Sequence, residues 1–138
     1  MSMINIGPNQ GARPVLDAGM YGSGLENEAE VSLFDFEAGC DPPGWDKEGK
    51  EGPYFKFSFR VVDPEGTTYF PNCTVNFGKK VKTMLADAGV TVTENPDGGF
   101  VFDESEVAPR PVGGIEVKAP SVTDDGTFPG KVLRVIGA

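Results

Sequence analysis

The chain has 138 residues, 38% of them hydrophobic, and a net charge of -9, which suits one domain around one moderate core. Nineteen glycines and twelve prolines disfavour a helical protein and suit short strands joined by turns, and a pI near 4.4 disfavours duplex binding through overall charge. The chain has no histidine, so the commonest general base, metal ligand and triad partner is missing. The composition excludes most enzyme chemistries and implies no cofactor.

Residues 1–15 read as a loose arm, because Gly7, Pro8, Gly11 and Pro14 break any periodicity; the domain proper spans 16–138. Residues 16–24 read as a turn leading into it. A first strand runs from about Glu28 to Glu37. Its pattern shifts midway, with Val31 and Leu33 on one face and Phe34 and Phe36 on the other, which is what a bulge or strong bend produces. Residues 38–53 form a long loop rich in Gly and Pro, with the single Trp, Trp45.

A second strand covers Tyr54 to Val62. Successive side chains of a strand point to opposite faces, so Phe55, Phe57, Phe59 and Val61 form one apolar face, and Tyr54, Lys56, Ser58 and Arg60 form the other. Asp63-Pro64-Glu65-Gly66 reads as a four-residue turn. The return strand runs from Thr67 through Pro71 to Val75, and the proline places it at an edge or a bulge. By period-2 pairing across that turn, Tyr69 shares the outward face with Lys56 and Arg60.

A helix follows over about 76–88. Phe77, Val81, Leu85 and Ala88, with Met84, repeat at helical spacing and Gly89 is a natural stop. Val90–Val92 and Phe100–Phe102 read as a small hairpin, Asp103–Glu106 as a solvated acidic loop, and Ile115–Ala119 and Gly130–Ile136 as two final strands around the turn-rich segment 121–127. Three strands, one helix and a closing pair is the order of a five-stranded OB-like barrel, here with a small extra hairpin between helix and closing pair. In that fold the face of strands 2 and 3 binds oligonucleotides.

The row Tyr54, Lys56, Ser58 and Arg60 carries an aromatic ring and two cations but no carboxylate. Rings that stack on bases, beside cations that neutralise phosphates, are what single-stranded nucleic acid requires. Residues 47–82 hold seven Lys and Arg against four acids, while the flanks carry seventeen acids and five bases. The candidate binding residues are therefore Tyr54, Tyr69 and Trp45 for stacking, and Lys47, Lys50, Lys56, Arg60, Lys79, Lys80 and Lys82 for phosphates. Plainer roles are open to them: the row on strand 54–62 can be an ordinary polar strand face, Trp45 can plug the barrel end, Tyr69 can form a cross-strand aromatic pair, and the helix lysines can serve solubility.

Other motifs carry less. Gly78-Lys79 ends like a phosphate loop, but Cys73 stands where that motif needs Gly, and Gly22-Ser23-Gly24 lacks the spacing of a nucleophile elbow. The carboxylates Glu26, Glu28, Glu30, Asp124 and Asp125 read as solvated rather than cation-binding. No apolar stretch approaches membrane length, and the N-terminus lacks the basic start and apolar run of a signal peptide. The expected location is the cytoplasm, with Cys40 and Cys73 reduced.

Leu16-Asp-Ala-Gly-Met-Tyr21, Tyr54-Phe-Lys-Phe-Ser-Phe-Arg60, the helix over 77–88 and Val112-Gly-Gly-Ile-Glu-Val-Lys118 together resemble the small phage-encoded single-stranded DNA-binding proteins of OB type. The resemblance spans most of 16–136 and is one of pattern. It implies sequence-independent binding of single-stranded DNA in phage replication or recombination, in the host cytoplasm, with replication or recombination proteins as further partners. Many such proteins end in an acidic tail that recruits partners; this chain ends Leu133-Arg-Val-Ile-Gly-Ala138, so that route is not expected. The alternative is a structural β-protein that decorates or joins virion parts without binding nucleic acid. A third reading is an OB module that binds only protein. Homo-oligomerisation stays open.

Overall fold

The structure, a computed structural model, describes residues 15–41, 53–76 and 78–137. In chain order the elements are β1 (Gly19–Gly22), β2 (Glu30–Cys40), β3 (Tyr54–Val62), β4 (Thr68–Tyr69), β5 (Asn72–Val75), α1 (Gly78–Asp87), β6 (Val92–Glu94) and β7 (Phe100–Phe102). A short 3-10 turn over Glu104–Glu106 leads to β8 (Arg110–Val112), β9 (Gly114–Val117), β10 (Ser121–Thr123), β11 (Gly126–Phe128) and β12 (Val132–Ile136). The described residues are mostly β with one α-helix, as the glycine and proline content implies. No helix among the described residues is long and apolar enough to cross a membrane.

All pairs of these strands are antiparallel. In the larger sheet β3 is central, with β2 on one side and both β4 and β5 on the other, and β8 adds to the far edge of β2. A second sheet has β9 between β1 and β12. Only Gly113 separates β8 from β9, so one run of chain passes from sheet to sheet there. The glycines are needed for close approach: Gly113 N–H donates to the Ile136 carbonyl at 2.9 Å, and a Cβ on Gly113 or Gly114 would strike the backbone of Gly137 or Tyr21. Among the described residues the two sheets do not close into a barrel.

The core lies between the sheets and under the helix. Leu33, Phe57, Phe59, Val61, Val81, Leu85, Ile115 and Val132 are fully buried. Helix α1 turns Val81, Met84 and Leu85 inward. It ends as Gly89 predicts, with φ +88°, Gly89 N–H donating to Ala86 O at 3.0 Å and Val90 N–H to Leu85 O at 2.9 Å, the bonding of a glycine-terminated helix. The hairpin β6–β7 brings Phe102 edge-on to Phe36, centroids 5.8 Å apart, and so helps close one end of the core.

Three segments differ from the expectation. Residues 19–22 form a strand rather than a turn, because Gly22 has no side chain to hold it off Gly114 of β9. Residues 110–112 form a strand on the edge of β2 despite Pro111, since an edge position spares one backbone donor. The turn-rich stretch 121–127 is itself a hairpin, with Gly126 at φ +130°.

Candidate functional site

Strand β3 spans the nine residues expected, and its inward row is closed: Phe57, Phe59 and Val61 are wholly buried, and Phe55 is half-buried against Phe36. The outward row holds Lys56, Ser58 and Arg60. Arg60 is exposed, and Lys56 and Ser58 are half-exposed. Neither cation forms a hydrogen bond or ion pair among the described residues.

Tyr54 does not complete that row as an open ring. It is only 3% exposed. A register shift across Gly39, which has φ +68°, pairs Ala38 with Phe55 and Cys40 with Tyr54. At this end of the strand a large aromatic is withdrawn from water.

Tyr69 is also on the other face from the one expected. A four-residue turn would pair Val62 with Thr67 and Arg60 with Tyr69. Instead Asp63 N–H donates to the Thr67 carbonyl at 3.0 Å, and Gly66, at φ +88°, donates to Asp63 O at 2.9 Å. The loop is thus three residues, Pro64-Glu65-Gly66, with glycine in the left-handed position that such loops require. Asp63 Oδ1 holds it by accepting from Glu65 N at 3.0 Å and Thr67 N at 2.8 Å. The one-residue change of register reverses every side chain of the return strand. Tyr69 now opposes the buried Val61, packs against the core, and donates its hydroxyl to Asp63 Oδ2 at 3.3 Å. Burial, then the Asp63 carboxylate, raise its phenol pKa.

Phe70 takes the outward place instead. The pairs Val61–Tyr69 and Ser58–Asn72 share one register, so Phe70 stands beside Arg60. It meets Phe34 of β2 with ring centroids 5.5 Å apart and planes tilted by 58°. Both rings are exposed, Phe34 by 51% and Phe70 by 44%. Phe34 is the extra residue of a bulge: Leu33 pairs with Phe59 and Asp35 with Ser58, leaving Phe34 unmatched. Phe36 then returns to the core, its ring 5.1 Å from that of Phe57. The two phenylalanines expected on one face are therefore divided between the two.

Phe34, Phe70, Lys56, Ser58 and Asn72 line one side of a groove of about 540 Å3, which Leu16, Val117, Pro129 and Gly130 line as well and which reaches Tyr69 at the sheet edge. The charge around it is mixed. Pairing with β2 sets Glu37 opposite Lys56 and Asp35 opposite Ser58, so carboxylates flank a row that carries none of its own. Lys79, Lys80 and Lys82 are not part of this face. Their helix packs against the core side, where Met84 Sδ lies 3.9 Å from Cys73 Sγ, and Lys82 pairs with Glu94 of β6. Trp45, Lys47 and Lys50 lie outside the described residues, as do Phe77 and residues 1–14 of the expected arm.

Both cysteines are free. Burial pushes the Cys73 thiol up to about 12. Cys40 is raised too, by partial desolvation first and the Glu37 carboxylate second. Phe34, Asp35 and Phe70 are the site residues that reading the sequence missed. The mid-strand phase change pointed to the bulge that exposes Phe34, and a glycine at the third loop position after Asp63 was the available sign of the register that exposes Phe70. No protein-family model, curated protein or solved structure matches this chain.

Proposed function

We propose that this protein binds single-stranded DNA without strict sequence requirement, on the outward face of β2, β3 and the broken return strand. The observation that carries the reading is the exposed Phe34–Phe70 pair beside the cations Lys56 and Arg60, which form no ion pair or side-chain hydrogen bond among the described residues. Soluble proteins seldom leave two large rings together in water without use for them. Rings of this kind stack on bases whatever their identity, and adjacent cations neutralise the backbone. The flanking carboxylates Asp35 and Glu37 confine the phosphate track to the β3 side of the groove.

The OB-like reading of the fold belongs to the same proposal. Its support is the order of elements: a bulged strand, its hairpin partner, a broken third strand, a helix, and then the run β8–β9 that pairs first with β2 and next with β12. Titration of a fluorescent oligonucleotide at two salt concentrations tests the function. Binding that weakens as salt rises, and duplex of equal length binding far less well, are the expected results. A folded protein with no single-strand binding at low salt would overturn the reading and leave the face to a protein contact, as a virion-structural role requires.

A further inference from the structure

The bulge in β2 does more than expose one ring. Alternation alone would send Phe34 and Asp35 to opposite faces. Asp35 pairs with the outward Ser58, and the unmatched, exposed Phe34 packs on Phe70, so both stand on the outer face, a stacking surface and a carboxylate side by side. Asp35 is exposed and makes no hydrogen bond or ion pair among the described residues. The Ser58 hydroxyl, on the groove wall, is likewise without a partner there.

From this arrangement we infer that Asp35 and Ser58 read the edge of the base stacked on Phe34 and favour bases that carry an exocyclic amine beside a ring-nitrogen acceptor, as cytosine and adenine do. The inference rests on the single-strand reading above. An ionised carboxylate only accepts hydrogen bonds, and a hydroxyl both donates and accepts. The exocyclic amine of cytosine donates to Asp35, in the pairing carboxylates make with that group on duplex DNA, and Ser58 donates to the ring nitrogen. Thymine in the same place sets a carbonyl oxygen against the Asp35 carboxylate, two acceptors with no proton between them. Binding then keeps its stacking and phosphate contributions for any sequence and adds a graded preference at one nucleotide position.

The test compares oligo-dC and oligo-dT of equal length at pH 7.5 and one fixed low salt. The two carry the same backbone charge, so their affinity ratio cancels the phosphate contribution. The unaltered protein should bind oligo-dC about five- to tenfold more tightly, the lower part of the range for a specific base contact. Asp35→Ala should bring the ratio to about one, and Ser58→Ala should lower the ratio partway. Glu37→Ala, which removes a carboxylate opposite Lys56 rather than beside the ring, should strengthen both alike and leave the ratio unchanged. Equal binding of the two oligonucleotides by the unaltered protein, or a ratio that survives Asp35→Ala, overturns the inference while leaving single-strand binding intact. Binding of neither oligonucleotide overturns both.

Discussion

The larger sheet has two faces built from the same strands, and they follow different rules. Inward, Phe36, Phe55 and Phe57 pack with Phe102 from the β6–β7 hairpin in a continuous aromatic cluster. Outward, Phe34 and Phe70 form a ring pair on the face that carries Lys56, Ser58 and Arg60. The inner face is a plain consequence of alternation along β3. The outer face depends on two departures from regularity, the bulge at Phe34 and the three-residue loop that sets the return register. A regular sheet would have yielded the core and not the ring pair.

The distinction between the faces is tested most directly at its inner side. Phe57→Ala should cost about 3–5 kcal/mol, the usual range for a core aromatic, whereas Lys56→Ala, one residue along, should change stability by no more than about 0.5 kcal/mol. Urea unfolding of both variants is the measurement, and equal costs would mean the two faces are not distinct.

The outer side responds in affinity rather than stability. Phe34→Ala and Phe70→Ala should leave the fold nearly as stable and weaken oligonucleotide binding by about 1–3 kcal/mol for each base deprived of its stacking ring. Tyr69→Phe, which keeps the ring on the core side and removes only the bond to Asp63, should not change that affinity. If Tyr69→Phe weakens binding as much as Phe70→Ala, Tyr69 belongs to the outer face and the return strand has a different register.

A smaller effect concerns the glycine at the second register shift of β2. Gly39 has φ +68° with open space where a Cβ would stand, so Gly39→Ala carries only the backbone penalty, about 1–2 kcal/mol in unfolding measurements. Charge changes are gentler still. Replacing Lys56 or Arg60 by Ala should reduce the log-log salt slope of binding by roughly 0.7 for each phosphate that is no longer neutralised.

The two thiols also differ in burial, Cys40 being half-buried and Cys73 buried. At pH 8, iodoacetamide should modify Cys40 first and reach Cys73 only on unfolding, as peptide mass mapping would reveal. Because burial raises the Cys73 thiol from its ordinary 9.0 to about 12, its contribution to stability is complete below pH 9 and declines as the pH rises toward 12. Cys73→Val should flatten that alkaline decline in a pH series of unfolding curves.

Much of this molecule was legible in its sequence because the governing interactions are local. Phe57, Phe59 and Val61 point inward whatever lies across from them, since β-strand alternation is a property of the chain itself. The stripe Val81, Met84 and Leu85 and the stop at Gly89 likewise need only helical geometry. What reaches the outer face was not legible, because it depends on pairing between strands. A hairpin loop shorter by one residue carried Tyr69 inward and Phe70 outward, and a bulge opposite Ser58 set Asp35 and Phe34 together. The short strands β1 and β8 share that dependence, since a few residues rich in Gly or Pro become a strand only when a neighbour supplies the ladder. Residue identity determined which side chains this protein has for a core and for a surface. Only the register of its strands, which changes face with a shift of one residue, decided which of them meet.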